Sequence, residues 1–300
     1  MLKIAWDKSY ILPLPVNHRF PMSKYEVLPE QLLYEGTIGT SNLFNPGPID
    51  ERWILLTHDV EYWGKLKTLA LTPQEARRTG FPITRALIDR EVCIVNGTLQ
   101  SALFALQFGI SMNIAGGTHH AFTNKGEGFC LLNDIAIAAT FLLHERLVNQ
   151  ILVVDLDVHQ GNGTAQIFRD EPRVFTFSMH GKSNYPLVKE TSDLDVPLED
   201  CIEDAAYLSI LEKQLGRLLD LVQPDFIFFQ SGVDILKTDK LGRLWISREG
   251  CRLRDRIVLN LAKENKIPLV ASMGGGYSED FRDIIEAHAN TFRLAQEIFF

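Results

Sequence analysis

One short stretch of the sequence carries side chains that are able to bind a cation or transfer protons. Residues 151–154 are all apolar, which predicts a buried strand. Asp155, Asp157 and His159 follow at alternate positions, and side chains two apart on a strand point to one face. Buried carboxylates are costly unless they are paired or bind a metal. We therefore predict a metal site, with Asp157 and His159 as ligands and Asp155 as a buried partner behind them, rather than a set of capping acids.

Polar residues also follow three other predicted strands. Asp234 would supply the third protein ligand that a catalytic zinc requires, although an isolated Asp at a strand end is also a common helix N-cap. His119 and His120 follow two glycines and are interpreted as proton-transfer groups, with Asp155 placed to hold the tautomer of His119. Tyr277 follows three glycines and is interpreted as a hydrogen-bond donor to a developing oxyanion.

The elements that must position these residues alternate between strands and helices from about residue 90 onward. This alternation predicts βαβ units and an α/β fold with a parallel sheet, in one domain over residues 1–300. Ligands of such sheets bind beyond the carboxyl ends of the strands, where the polar clusters fall. The sequence also predicts a short strand over residues 54–57, a helix that begins at a Thr72-Pro-Gln-Glu75 capping box, and a long loop over residues 183–197.

The composition is that of an ordinary soluble globular protein, with 46% hydrophobic residues and a net charge of -8. The acidic balance argues against nucleic-acid binding. Four widely spaced cysteines predict a reducing compartment rather than a disulfide framework. The N-terminus lacks the apolar run of a signal peptide, and no apolar stretch is long enough to cross a membrane. We therefore expect a cytoplasmic protein.

Taken together, the motifs resemble those of the zinc-dependent histone deacetylase family, which has the arginase–deacetylase fold. They occur in family order and extend over nearly the whole chain. They are residues 116–120 (GGTHH), 128–130 (GFC), 155–163 (DLDVHQGNG), 231–236 (SGVDIL) and 274–277 (GGGY). Residues 160–163 and 234–242 are most similar to the class IV branch. Residues 17–21 resemble the N-terminal loop of bacterial deacetylases. The resemblance implies a mainly parallel sheet flanked by helices on both faces.

The resemblance implies that the protein hydrolyses lysine side-chain amides with metal-activated water and removes acetyl or longer fatty-acyl groups. The metal, Zn²⁺ or Fe²⁺, would be bound by Asp157, His159 and Asp234. His120 would be the general base and later the acid, and His119 would stabilise the proton transfer. The catalytic side chains implied by the resemblance are His119, His120, Asp155, Asn162 and Tyr277. Asn162 replaces an Asp of some class I members, but it is still able to orient an imidazole.

The resemblance also assigns residues to substrate binding and to a structural potassium ion. The Gly128 carbonyl would hold the scissile N–H, and Phe129 and Tyr185 would line the tunnel, with Leu241 as a further apolar candidate. Asn184 stands where an aromatic residue is common near the tunnel rim. The K⁺ site would be formed by backbone or side-chain atoms of Asp155, Asp157, His159, Ser178 and Met179.

Three alternatives remain open at this point. The substrate would be an acyl-lysine peptide or protein, or else a small acylated amine such as an acetylpolyamine, which an acidic residue near the rim would favour. An arginase-like dinuclear hydrolase would need a second metal cage, and Asp234 stands alone at its strand end. A catalytically inactive binding module would lack the phenol or a ligand, and every such position is filled.

Overall fold

The computed structural model describes all 300 residues, and its centre is one eight-stranded sheet. The strands are β1 (Lys3–Ala5), β2 (Leu43–Phe44), β3 (Ile110–Asn113), β4 (Ile151–Asp155), β5 (Val174–Gly181), β6 (Leu194–Leu198), β7 (Phe226–Gln230) and β8 (Leu269–Ser272). Their order is β2-β1-β3-β8-β7-β4-β5-β6, and every neighbouring pair is parallel. All carboxyl ends therefore lie along one edge of the sheet.

Helices cover both faces of this sheet. They are α1 (Lys24–Tyr34), α2 (Glu51–Leu55), α3 (Val60–Thr68), α4 (Pro73–Thr79), α5 (Arg85–Phe108), α6 (Asp134–His144), α7 (Asn162–Phe168), α8 (Asp204–Val222), α9 (Arg248–Glu264) and α10 (Phe281–Phe299). Strands β3, β4, β7 and β8 are buried at every residue, as expected for central parallel strands with helices on either side. None of the helices is both long and apolar enough to span a bilayer.

The predicted α/β fold with its parallel sheet is confirmed. The predicted capping box is also present at the start of α4. The Glu75 N–H donates to Thr72 Oγ1 at 3.3 Å, and the Thr72 N–H donates to Glu75 Oε2 at 2.7 Å. Local signals of this kind depend on residues a few positions apart, so the sequence alone is sufficient to read them.

Two local predictions are wrong. Residues 54–57 do not form a strand, because Asp50 caps a helix that includes Ile54: the Asp50 carboxylate accepts the Arg52 N–H at 3.0 Å. Ile54 is buried while Leu55 is exposed, so this apolar run has one inward side, as in a helix. The predicted loop over residues 183–197 ends in β6, which contains Pro197. Strand β6 is at the edge of the sheet, where proline is tolerated.

The buried His58 predicts a loss of stability in mild acid. Its Nδ1–H donates to the Phe122 carbonyl at 2.9 Å, and its Nε2 accepts the Asn133 N–H at 3.0 Å, so the folded state needs the neutral ring. Burial lowers the pKa of His58 from 6.5 to about 4. The unfolded chain therefore binds this proton first as the pH falls. The stabilisation is complete above about pH 6.5 and is lost progressively toward pH 4, by about 3 kcal/mol in total.

Urea unfolding at neutral and mildly acidic pH would measure this loss. His58→Gln removes the titrating ring, so its unfolding free energy should fall less steeply over the same pH interval than that of the wild type. Equal slopes in the two proteins would show that His58 does not contribute to acid sensitivity.

Candidate active site

The polar clusters predicted from the sequence meet at the carboxyl edge of the sheet. Strand β4 leads into Asp157 and His159, β7 leads into Asp234, and β8 leads into Tyr277. Strand β3, which pairs with β8, leads into residues 116–120. Because β3, β8, β7 and β4 are consecutive in the sheet, the four segments that follow them converge at one place.

Asp157, His159 and Asp234 form a buried group that could bind a metal ion. One ligand atom from each lies within 4.8 Å of the others. Backbone N–H groups hold the remaining carboxylate oxygens: Gly275 donates to Asp157 Oδ2 and Val158 donates to Asp234 Oδ1, both at 2.9 Å. Asp157 Oδ1 and Asp234 Oδ2 are left facing His159 Nδ1, at 3.0 and 3.1 Å. Each residue thus directs one atom toward a common centre, which fits a cation.

The electrostatics of this group also favour a cation. Burial and the Asp157 carboxylate raise the pKa of Asp234 to about 7, because two carboxylates are held together away from water. Burial lowers the pKa of His159, but its hydrogen bonds to both carboxylates outweigh this and raise the pKa to about 10. The proton on His159 thus lies between the two carboxylates, where a divalent ion would neutralise more of their charge.

Glycine is required beside this group because the backbone comes too close for a side chain. A Cβ atom at Gly275 would lie 2.0 Å from Asp234 Oδ2 and 2.9 Å from Asp157 Oδ2. The run of three glycines before Tyr277 therefore lets the backbone pass directly over the carboxylates.

His119 is paired with Asp155 as the sequence predicted: its Nδ1 lies 2.8 Å from Asp155 Oδ2. Burial lowers the pKa of His119, but the charges of Asp155 and Asp157 outweigh it and raise the pKa to about 9. His119 is therefore protonated at neutral pH, and it places a positive charge beside His120, at a ring-centre distance of 4.1 Å.

His120 is held in a different state by Asn162. The Asn162 amide N–H donates to Glu127 Oε1 at 2.7 Å, so its Oδ1 must face His120 Nδ1, also at 2.7 Å. Nδ1 is then the protonated nitrogen, and Nε2 is left as an acceptor. Burial and the charges of His119 and His159 lower the pKa of His120 well below its usual value. The pair thus combines a charged imidazole with a neutral one.

Two buried or half-buried acids that sequence reasoning missed hold these histidines. Glu127, whose side chain is 14% exposed, orients the Asn162 amide and lies 3.3 Å from Lys125 Nζ. Asp134 accepts the backbone N–H groups of Gly117 and Thr118 at 3.1 and 2.8 Å, which fixes the turn before the histidines. Glu127 lies next to the Gly-Phe-Cys motif, but its partner is 35 positions away and gives no local signal.

Tyr277 is positioned through its backbone by Asp239. The Tyr277 N–H donates to Asp239 Oδ2 at 2.6 Å, and Leu241 N–H donates to Asp239 Oδ1 at 2.8 Å. Burial and the nearby carboxylates of Asp234 and Asp157 raise the pKa of Tyr277 well above its usual value. The phenol therefore remains protonated and able to donate a hydrogen bond.

A mouth with an aromatic wall connects this group of residues to solvent. Its lining includes Phe129, Tyr185, Leu241 and Tyr277 as well as His120. The Tyr185 ring lies 5.0 Å from the His120 ring and nearly perpendicular to it. Asn184, predicted near the rim, is among the lining residues, but it is largely buried and its amide N–H donates to the Leu241 carbonyl at 2.7 Å.

Gly128 and Phe129 both have left-handed backbone conformations, with φ of 57° and 65°. A Cβ at Gly128 would lie 2.7 Å from the His120 ring, so only glycine fits there. The backbone N–H groups of Gly128 and Phe129 donate to the carbonyls of Arg78 and Thr79, at 3.0 and 2.8 Å. These bonds attach the aromatic wall to the end of α4. The Gly128 carbonyl faces the Cys130 thiol at 3.4 Å.

A small cavity of about 40 Å³ lies at the histidines, Asp157 and Tyr277 and extends to residues behind them. Its inner lining includes Phe20 just before α1, Tyr25 in the first turn of α1, and Arg90 and Ile94 of α5. None of these four was predicted as a site residue from the sequence. Beside it, the fully buried Lys24 donates to the Gly274 carbonyl at 3.0 Å, and burial lowers its pKa to about 8. The first helix thus supplies both aromatic and cationic groups to the interior.

The residues predicted to bind potassium lie at the ends of β4 and β5. Asp155 is paired with Ser178 in the parallel register, and Ser178 Oγ lies 2.9 Å from His180 Nδ1. All five of the predicted residues are buried: Asp155, Asp157, His159, Ser178 and Met179.

Comparison with known proteins adds sequence and fold evidence to this geometry. The family model described as the histone deacetylase domain matches residues 18–292. The chain is 40% identical over 296 residues to an uncharacterized protein of Picosynechococcus sp. (strain ATCC 27264 / PCC 7002 / PR-6), with 99% of each chain covered. It is 30% identical over 298 residues to histone deacetylase 2 of Arabidopsis thaliana, covering 95% of this chain and 76% of that protein.

Two solved structures share the fold. A histone deacetylase homolog from Aquifex aeolicus superposes with a TM-score of 0.83 at 24% identity, covering 98% of this chain and 82% of that one. The HD domain of HDA15 superposes with a TM-score of 0.82 at 18% identity, covering 98% and 90%. These superpositions confirm the arginase–deacetylase architecture expected from the motifs.

Proposed function

The chain belongs to the histone deacetylase family, and from that premise we propose that it removes short acyl groups from lysine side-chain amides in a metal-dependent hydrolysis. Family membership supports a hydrolase of the deacetylase type. The observation that carries the finer proposal is the convergence of three groups. They are the buried Asp157–His159–Asp234 set, a charged and a neutral histidine, and a protonated Tyr277.

Each side chain has a task that its environment supports. His120, neutral and with a free Nε2, takes a proton from the attacking water and later gives it to the leaving amine. His119, charged and fixed by Asp155, stabilises the negative charge that develops beside it. The Tyr277 phenol donates a hydrogen bond to the acyl oxygen. The Gly128 carbonyl accepts the scissile N–H, and Phe129 and Tyr185 exclude water from the lysine stem.

Asp157, His159 and Asp234 would hold a single divalent ion, for which we propose Zn²⁺ with Fe²⁺ as the other candidate. When bound, such an ion supplies positive charge that polarises a carbonyl oxygen and acidifies water. We also propose K⁺ for the buried ends of β4 and β5, since their backbone and hydroxyl oxygens are hard ligands.

The remaining proposals concern classification and cellular context. Residues 160–163 and 234–242 support the class IV branch. A single sheet with one contiguous core of 78 buried residues supports one catalytic domain over residues 1–300. All four cysteines are free, which supports a reducing, cytoplasmic location.

The inner cavity favours an acetyl group over a long acyl chain. Its volume is about 40 Å³, whereas about 10–15 Å³ already corresponds to one water on this scale. This volume includes the space beside Asp157, His159 and Tyr277, so it has room for an acetyl group, whereas a fatty-acyl chain would require lining residues to move.

The test of the proposed function compares kcat/KM on one lysine peptide carrying acetyl, octanoyl or myristoyl groups, with acetylspermidine alongside. We expect the acetyl peptide to be hydrolysed fastest and the myristoyl peptide slowest. A wide preference for acetylspermidine would contradict the lysine proposal. Preference for myristoyl would show that the inner cavity opens much further, and no hydrolysis of any substrate would contradict the deacylase proposal itself.

The metal proposal predicts that a divalent ion stabilises the folded protein. Asp157, His159 and Asp234 come together only in the folded chain, and Zn²⁺ would relieve the repulsion between the two carboxylates. An ion that binds the folded chain and not the unfolded one adds about 2.7 kcal/mol to stability at a hundredfold excess over Kd. The melting temperature should therefore rise on adding Zn²⁺ after chelation, with one ion bound per chain. Asp234→Asn should abolish the rise, while Asp220→Asn, an exposed acid on α8, should preserve it. Two ions bound at this site per chain would contradict a mononuclear centre.

A further inference from the structure

The mouth of the site is surrounded by arginines. Arg19, Arg77, Arg78 and Arg243 all line it, and no aspartate or glutamate does. The protein as a whole is acidic, with a net charge of -8, so a concentration of positive charge at this one place runs against the overall composition. We define these four residues as the arginine rim.

The arginine rim is assembled from separate parts of the chain. Arg19 lies in the loop before α1, Arg77 and Arg78 are in the last turn of α4, and Arg243 follows β7. The rim is joined to the aromatic wall, because the Arg78 carbonyl accepts the Gly128 N–H at 3.0 Å. The backbone of Arg78 is therefore held at a fixed position relative to the tunnel.

Three of the rim arginines have no partner of opposite charge. Arg19, Arg77 and Arg78 are exposed and form none of the protein's ion pairs, while Arg243 lies 3.4 Å from Asp200 on the surface. Exposed arginines elsewhere commonly do have a carboxylate partner, such as Arg169 with Glu190 at 2.6 Å and Arg282 with Asp280 at 2.8 Å. Cations near a helix C-terminus are common. That rule accounts for Arg77 and Arg78 but not for Arg19 and Arg243.

We propose that the substrate is a protein segment in which the acylated lysine is flanked by acidic residues, whose carboxylates bind the arginine rim. This inference rests on the proposed function and specifies its substrate. Arginine is suited to this task because its planar guanidinium donates two parallel hydrogen bonds to a carboxylate. The same charge repels polyamines and lysine-rich flanks, which an acidic rim would attract.

An apolar surface beside the rim extends the contact to a peptide. Leu187 lines the mouth and is 90% exposed, and Val188 is 86% exposed. A side chain one or two residues from the acylated lysine would cover them.

The experiment compares three peptides that share a central acetyl-lysine and differ only in their flanks, which are acidic, neutral or basic. One exposed ion pair changes a binding equilibrium by about 1.5- to fivefold, so several together should give a preference for acidic over basic flanks of about tenfold or more in kcat/KM. The preference should weaken as salt is added, because exposed charges are screened.

Substitutions that remove positive charge from the rim test the assignment. The double variant Arg77→Gln/Arg78→Gln should reduce the acidic-over-basic ratio by about fivefold or more and leave hydrolysis of the neutral peptide nearly unchanged. Arg217→Gln is the matched control, because Arg217 is an exposed arginine on α8 with no ion pair and does not line the mouth. It removes one positive charge from the protein, half of what the double variant removes, and should leave the ratio as in the wild type.

Binding is measured separately, by fluorescence anisotropy of labelled peptides. A flat flank series on an enzyme that hydrolyses the neutral peptide would overturn the rim inference and leave the proposed function standing. If nothing is hydrolysed but acidic peptides still bind more tightly in a rim-dependent way, the proposed function fails and the rim stands. A preference for basic flanks, or an equal loss in Arg217→Gln, would overturn the inference. A small carboxylated acyl-amine is assayed beside the peptides. If it is preferred over the acidic peptide, the proposal that the substrate is a protein segment fails.

Discussion

Replacing His120 with alanine is expected to lower kcat by ~10²–10⁴-fold, the usual contribution of a positioned general acid–base. The reason is that His120 is the neutral histidine, with Nδ1 committed to Asn162 and Nε2 free to accept a proton. His119 already carries a proton and is fixed against Asp155, so it is unable to take over that role. Steady-state kinetics with the acetyl peptide would measure the loss.

The matched comparison is His119→Ala, which should reduce kcat less than His120→Ala. Asp155→Asn should act mainly through His119, because it removes the carboxylate that orients the ring. The melting temperature and bound metal should be measured for each variant, so that loss of the site is distinguished from loss of proton transfer. An inactive His119→Ala beside a nearly normal His120→Ala would show that the two roles are reversed.

Glu127 is part of the same arrangement. Its carboxylate fixes the Asn162 amide, and that amide fixes the tautomer of His120. Asn162 stands where some class I members have an aspartate, and it provides less negative charge behind His120 than an aspartate would. In the structure the Glu127 carboxylate lies behind Asn162, so it reaches His120 only through the Asn162 amide.

The sequence was sufficient for the parts of the site that depend on local pattern. The alternation of Asp155, Asp157 and His159 after an apolar strand sets which side chains share a face, and strand ends in a parallel sheet meet by topology. The predicted pairing of His119 with Asp155 also agrees with the structure, at 2.8 Å. These inferences needed only strand periodicity and the direction of the chain.

The parts that were missed depend on contacts between distant segments. Lys24 donates to a carbonyl 250 positions away, and the arginine rim gathers residues from 19 to 243. No local pattern marks such residues, since a lysine or an arginine has the same sequence signature wherever the fold places it. The strand predicted over residues 54–57 is wrong for a different, local reason: Asp50 caps a short helix that includes Ile54.

Replacing Tyr277 with phenylalanine is expected to lower kcat by ~10²–10³-fold, as loss of one oxyanion donor does elsewhere. The substitution removes one hydroxyl and keeps the ring, which lies 6.2 Å from the Phe20 ring and 6.0 Å from the Phe129 ring. Packing should therefore be preserved. Burial and two nearby carboxylates keep the phenol protonated, so the wild-type donor is available throughout the neutral pH range.

The kinetic parameter that changes distinguishes a loss of transition-state stabilisation from a loss of substrate binding in this variant. A donor that acts only in the transition state lowers kcat and kcat/KM together and leaves KM nearly unchanged. Bound metal and melting temperature should match the wild type, because Tyr277 is held by its backbone N–H on Asp239 and not by the hydroxyl. Tyr34→Phe, at a residue that is 92% exposed, serves as the matched control and should be fully active. Full activity of Tyr277→Phe would show that the phenol only lines the mouth, and that the acyl oxygen is polarised without it.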